Sequence, residues 1–308
     1  MKNQRNNSKN KIDIHADDYA VSLHASEDLI ACLKEGTLDS ISIIPNMSCF
    51  EACMRRLHEE WNNLANKPLI SVHLNLMEGH CVSVPEKVTD LVDEKGLFKV
   101  SWGSLLTASY NPFSYKKIKE QLKKEFTAQI NRVQKSLPDG CELRLDSHQH
   151  THMLPIVREA MIAVVDEEKL PVTFIRVAEE PLLPFLRHPG LYPSFGIANP
   201  IKNVLLNFYA IGMRKALKKR NLQPVLLWGL MMSGHMDIER IRQIYPDMKA
   251  YCDRKGQALE ILFHPGTVLP EEINEEHCKA GFVEFHLSEG RKIERQAVDC
   301  LQQEVLHS

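Results

Sequence analysis

Three histidines stand at alternate positions, His148, His150 and His152, directly after an acid in Asp146-Ser147-His148-Gln149-His150-Thr151-His152. Imidazole is the commonest zinc ligand and changes charge near neutral pH, so so dense a cluster is expected to be used. An extended backbone would place all three rings on one face. Two adjacent carboxylates, Asp17 and Asp18, follow Ile12-Asp13-Ile14-His15-Ala16. At a strand end their side chains are expected on opposite sides, so that one can hold a metal while the other stays free as a general base. The bland alternative is a turn or helix cap ahead of Ser22. His73 closes the run Leu69-Ile70-Ser71-Val72, where a satisfied core histidine is the competing account. His264 ends Glu260-Ile261-Leu262-Phe263 and precedes Pro265-Gly266, a rigid exit that suits a positioned general acid. One Asp with two His leaves coordination positions open for water and a substrate oxygen, as a hydrolytic metal site requires.

These residues share one placement: each follows a short apolar, β-rich run. Strands are predicted over 11–15, 40–44, 69–74, 142–146, 172–177, 225–230 and 258–263, with helices between most of them. Ser22 reads as an N-cap and Gly36 as a stop for a helix that turns Leu29, Ile30 and Leu33 inward. A second helix is expected over 51–63. A long amphipathic one over 116–137 carries the stripe Ile118, Leu122, Phe126, Ile130, Val133, Leu137, with its lysines interleaved with Glu120 and Glu125 on a solvated face. Residues 78–112 read as a loop-rich insertion. Alternating strands and helices imply an α/β fold with a mainly parallel sheet, a distorted or incomplete (β/α) barrel. In such a barrel the C-terminal strand ends converge on one face, where residues distant in sequence meet.

The rest of the chain narrows the partners. Its 308 residues include 38 Lys+Arg against 40 Asp+Glu, a formal charge of -2 that disfavours nucleic acid and anionic membranes. Residues 1–11 are polar, read as a disordered leader that is neither signal peptide nor anchor, ahead of a single domain over 12–308. The eight cysteines form no Cys-x-x-Cys pair, and reduced packing thiols in a cytoplasmic protein are the expected account. Cys49 and Cys53, four apart, are expected on one helix face.

Together the four segments resemble the YdjC-type carbohydrate deacetylases, which include the chitooligosaccharide deacetylases. The resemblance rests on His15-Ala16-Asp17-Asp18-Tyr19, Val72-His73-Leu74-Asn75-Leu76, the run from Asp146 to Pro155 and Phe263-His264-Pro265-Gly266, with Ile175-Arg176 and Ser233-Gly234 in support. It implies a metal held by Asp18, His73 and His148, with Asp17 as base and His264 as acid, on a distorted barrel. His150, His152 and Arg176 are expected beside the ion as substrate contacts. Two departures are visible: Tyr19-Ala20 stands where the family usually has Phe-Gly, and the 78–112 insertion does not align. The expected cofactor is one divalent ion, zinc first, with magnesium or another as alternatives. The expected partner is a small carbohydrate, with a homodimer left open. Two rivals remain at this level: another single-metal hydrolase on the same barrel, such as a deaminase or phosphoesterase, and a non-catalytic sugar-binding relative.

Overall fold

Polar and apolar residues alternate along several strands, and that alternation decides which face of the sheet meets which environment. The computed structural model describes residues 12–196, 198–277 and 279–301; the expected leader, 1–11, lies outside them. The strands are β1 (Ile12–Tyr19), β2 (Ser40–Ile43), β3 (Leu69–Leu74), β4 (Leu143–Ser147), β5 (Val172–Ile175), β6 (Leu226–Trp228) and β7 (Leu259–Phe263). All pair in parallel, in the order β5-β4-β3-β2-β1-β7-β6. The principal helices are α1 (Leu23–Glu35), α2 (Phe50–Glu60), α3 (Trp102–Ala108), α4 (Pro112–Ser136), α5 (Pro155–Glu167), α6 (Leu183–Leu186), α7 (Ala198–Lys218), α8 (Ile238–Lys255), α9 (Ala280–His286) and α10 (Gly290–Leu301). The result is a curled half-barrel of seven parallel strands with flanking helices, the incomplete (β/α) barrel that the sequence predicts.

One face of the sheet presents Ile14, Ala16, Ile41, Ile43, Val72 and Leu145, all buried in the main apolar cluster together with α1, α4 and α5. The other face is polar. Asp13, His15, Ser40, Ser42, Arg144 and Asp146 project inward at every second position and bind one another, and Glu260 on the same face accepts from Arg176 Nε at 2.6 Å. A closed (β/α) barrel normally fills its interior with branched apolar residues; here a hydrogen-bonded ionic cage takes that volume.

The open edge between β5 and β6 is closed by a side chain. Glu180 accepts the backbone N–H groups of Gly229 (2.7 Å), Leu230 (3.0 Å) and Met231 (2.9 Å), and Asn203 of α7 donates to it at 2.7 Å. One backbone bond, from Leu227 N–H to Glu179 O at 2.9 Å, accompanies this stitch.

Local sequence accounts for the helices that matter here. Ser22 caps α1 through the Ala25 N–H, and Gly36 ends it at φ 76°, as expected. The stripe on α4 is buried from Leu122 to Val133. Its other side differs from expectation: Glu125 is buried, and accepts Val82 N–H (2.9 Å), Ser83 N–H (3.0 Å) and Ser83 Oγ–H (2.6 Å). The 78–112 segment is therefore clamped to the barrel, and it contains α3, which weak periodicity concealed. Cys49 precedes α2 while Cys53 is buried within it; the seven cysteines among the described residues are free. No helix among the described residues is long and apolar enough to cross a membrane.

Candidate metal centre and its pocket

Asp18, His73 and His148 each offer a ligand atom, and these atoms lie within 4.8 Å of one another. They come from the C-terminal ends of β1, β3 and β4, so parallel pairing brings together residues separated by up to 130 positions. Asp18 Oδ1 lies 3.4 Å from His73 Nε2 and 3.0 Å from His148 Nδ1. His73 Nδ1 is bound to Asp146 Oδ1 at 2.7 Å, which orients the ring with Nε2 toward the cluster. Asp18 Oδ2 is buried without a hydrogen-bond partner. Two imidazoles and a carboxylate, one oxygen of which is otherwise orphaned, fit a divalent cation, and zinc suits that donor set.

Both neighbouring aspartates face the same cavity, contrary to the expectation of opposite sides. The pairing of β1 with β2 slips between Ala16 and Tyr19, and Asp18 takes φ 69°. This irregularity breaks the period of two, so that consecutive side chains reach one pocket. Ala20, where glycine is usual in the resembling family, also sits at a positive φ of 68°. A left-handed alanine costs about 1–3 kcal/mol, so that departure adds strain to the turn.

Asp17 is held by the ionic cage below. Arg176 donates Nη1 and Nη2 to its two oxygens at 2.9 Å each, and His15 Nε2 lies 3.0 Å from Oδ1. Burial alone would raise the Asp17 carboxyl, but Arg176, His73 and His15 hold it well below the ordinary carboxylate range. Asp18 follows the same logic, with burial overridden by His148 and His73. Burial opposes charge on His73, yet Asp17 and Asp146 raise its imidazole to about 10. Two deeper groupings, around Asp13 with His15 and Glu260 and around His15 with Asp17 and Asp146, have a metal-like composition. Ser40, Ser42 and Arg176 already satisfy most of their atoms.

The other sequence-predicted residues divide. His264 lines the cavity; Glu294 accepts its backbone N–H at 2.5 Å and lies 3.5 Å from its Nδ1. Burial works against the Glu294 carboxylate, yet Arg291 and His264 keep it below its usual range. His150 lines the cavity too. His152 does not: Nδ1 meets Ser147 Oγ at 2.6 Å and Nε2 meets Arg176 O at 2.9 Å, which leaves no ring nitrogen for a ligand. The alternating histidines do not share a face because the backbone is not extended. Residues His148–Met153 coil into a short helical segment with Gln149 (φ 54°) and His150 (φ 58°) in the left-handed region. Arg176 is likewise fully buried beneath the pocket, bound to Asp17, Asp146 and Glu260.

The cavity measures about 310 Å³. Its remaining wall comes from α9, backed by α10, and from the end of the predicted strand 225–230, whose last two residues lie beyond β6. Phe282, Phe285 and His286 of α9 line it, and Arg291 of α10 lies 3.8 Å over the Phe285 ring. His286 Nε2 stands 3.7 Å from Asp18 Oδ2, and neither His286 nitrogen has a hydrogen-bond partner. Gly229 and Leu230 line it from the β6 side, where a Cβ on Gly229 would meet Leu262 O at 2.5 Å.

A parallel (β/α) half-barrel with a carboxylate and two imidazoles gathered at its strand ends defines the class: a barrel protein with a candidate single-metal centre. The chain belongs to the YdjC-like protein family, whose model matches residues 11–299. It is 27% identical over 213 residues to the carbohydrate deacetylase of Thermoanaerobacter pseudethanolicus, covering 69% of this chain and 74% of that protein. It is 25% identical over 293 residues to that of Xenopus laevis (90% and 87%), and 28% identical over 191 residues to that of Danio rerio (60% and 54%). Among solved structures it resembles an Enterococcus faecalis protein named as a candidate for cellobiose-phosphate cleavage. The TM-score is 0.58 at 20% identity, over 95% of this chain and 96% of that one, and this likeness bears on the fold alone.

Proposed function

We propose that this chain removes the acetyl group from an N-acetylated, chitooligosaccharide-like sugar by metal-assisted hydrolysis, with Asp18, His73 and His148 as the ligands. The observation that carries the reading is the juxtaposition of that cluster with a separately held carboxylate. Asp17 Oδ2 lies 3.8 Å from His73 Nε2 on the same cavity, yet Arg176 fixes it independently. The names of the related carbohydrate deacetylases support the reaction class. A divalent ion bound here supplies polarisation of the acetamide carbonyl and a more acidic water. Asp17, kept ionised, accepts the water's proton at a carboxylate oxygen. His264 delivers a proton to the sugar nitrogen, which is too basic to depart as an anion, while Glu294 fixes the backbone that carries the ring. Arg176 acts through Asp17, and His152 is taken up by Ser147 Oγ and the Arg176 carbonyl, so neither is assigned a substrate contact; His150 is. The free thiols support a reducing, cytoplasmic setting.

Acetate release from N-acetylglucosamine, diacetylchitobiose and longer oligomers, with and without chelator, tests this directly. Release that is lost on chelation and restored by one equivalent of metal supports the proposal. Release that persists in metal-free protein, or none from any acetylated sugar, would sink it.

A further inference from the structure

We infer that two copies of this chain associate through α7, packed antiparallel about a two-fold axis that crosses the helix midway along the exposed stripe Ile201, Val204, Phe208 and Ile211. Association of this kind does not depend on which reaction the pocket carries out.

One face of α7 packs onto the barrel, with Leu206, Tyr209, Ala210, Met213 and Leu217 buried. The opposite face lacks the polar surface that a helix at the edge of a globular protein normally turns to water. Ile201, Val204, Phe208 and Ile211 are each between 46% and 65% exposed. Together they leave on the order of 400 Å² of apolar surface open, the size at which a patch on a monomer is often functional. Tyr110 stands beside the stripe, its hydroxyl 3.0 Å from that of Tyr209, and Phe113 is exposed at the start of α4. Leu186 and Tyr192 are exposed in the segment that leads into α7, with the Tyr192 hydroxyl on the Leu186 carbonyl at 3.1 Å. With these the apolar area reaches roughly 800 Å², what each partner contributes to an interface of standard size.

The spacing of the stripe points to the occupant. Its intervals are three, four and three residues, so the pattern reads the same in both directions. Antiparallel packing about its midpoint sets Ile201 against the partner's Ile211, and Val204 against the partner's Phe208. A two-fold interface requires this kind of self-complementarity, in which residue i meets j and j meets i. The large ring faces the small side chain in both halves, a ridge-into-groove fit along about 15 Å of helix axis.

Charge selects the direction. Lys215 and Lys218 continue the stripe at intervals of four and three, and both are exposed. Parallel packing would set these cations beside their own copies, whereas antiparallel packing sends them to opposite ends of the seam. A bilayer would accept any apolar stripe and would favour cations along the length of the helix. On this face they sit at one end only. Because Asn199 of α7 also lines the cavity, the seam runs alongside a wall of the pocket.

Sedimentation equilibrium of the full chain at micromolar concentration should give twice the 35.3 kDa of a single chain. Phe208→Glu puts a charge at the centre of the seam and should weaken dimerisation by more than about thirtyfold, with the far-ultraviolet circular dichroism spectrum unchanged. Cross-linking reads the register in protein that keeps Phe208. Ile201→Cys and Ile211→Cys chains, mixed and treated with a short bismaleimide, should join position 201 to position 211 between subunits, as identified by peptide mass spectrometry with the wild type as control for the native thiols. Like positions lie about 15 Å apart along the axis and should not join. A monomeric wild type, a dimer that survives Phe208→Glu, or joining of like positions overturns the inference. A monomer that binds anionic vesicles, and loses them with Phe208→Glu, would assign the face to a membrane instead.

Discussion

On the strand-borne wall of the pocket, the groups around the candidate metal centre are held by others: Asp17 by Arg176 and His15, His73 by Asp146, Asp146 by Ser42, with Asp18 Oδ2 left open toward the centre. On the wall built from α9 and α10, neither His286 nitrogen has a hydrogen bond, nor do Nε and Nη2 of Arg291. A buried polar group left without a partner costs about 1–3 kcal/mol. The first wall is therefore organised before any ligand arrives, whereas the second retains polar capacity that a ligand or water can satisfy. Metal and proton chemistry fit the first, and recognition fits the second.

Substitution of a proposed ligand should break the comparison most severely. Asp18→Asn or His73→Gln should empty the metal site and lower turnover by more than about 10³-fold, since several kcal/mol of transition-state stabilisation depart with the ion. Metal analysis beside acetate release checks this, and full occupancy in both variants would refute the ligand set. Asp17→Asn should come next, with metal retained and turnover down by roughly 10² to 10⁴, the contribution of a positioned base. His264→Ala should behave likewise. If Asp17→Asn is purified without metal while Asp18→Asn is loaded, their roles are exchanged.

A smaller effect is expected one layer deeper. Asp146→Asn should weaken metal affinity by about 10- to 100-fold through loss of the group that orients His73. The sign of the pH dependence follows from the imidazole at about 10: below that pH the metal-free site holds a proton on His73 that metal must expel. Affinity should therefore rise with pH up to that point, and calorimetry in buffers of different ionisation enthalpy should detect about one proton released at pH ~8. Detection of none would mean that His73 is neutral in the free protein. The mildest change is expected on the helical wall. His286→Phe removes a buried, unpartnered imidazole, so the melting temperature should rise by a few degrees while kcat/KM falls by no more than about tenfold. A lower melting temperature would show that the ring has a partner.

Much of the first wall was legible because strands carry their chemistry at their ends. Seven apolar runs located seven strands, and the side chain that closes each run located the cluster. The ionic cage is equally visible in the sequence: Asp13-Ile14-His15-Ala16-Asp17, Ser40-Ile41-Ser42-Ile43 and Leu143-Arg144-Leu145-Asp146 alternate with a period of two, the signature of strands with one polar face. Two features were not accessible to pattern reasoning. The irregularity at Asp18 and the left-handed Gln149 and His150 are non-glycine conformations imposed by packing, so periodicity placed Asp17 apart from Asp18 and His152 beside the metal. The α9–α10 wall is the other. Phe282, His286 and Glu294 sit in short helices whose spacing reads as ordinary amphipathic surface, and only the folded chain brings them over the strand ends.

Closure of the half-barrel by Glu180 has a consequence for how the molecule breathes. A strand ladder opens by unzipping, one register position at a time. Here three amides, at Gly229, Leu230 and Met231, are released together if a single carboxylate lets go. Their deuterium exchange should therefore be correlated, with one opening rate for all three. Because Gly229 and Leu230 also line the cavity, that rate is a clock for loosening of the pocket floor, readable without substrate or metal.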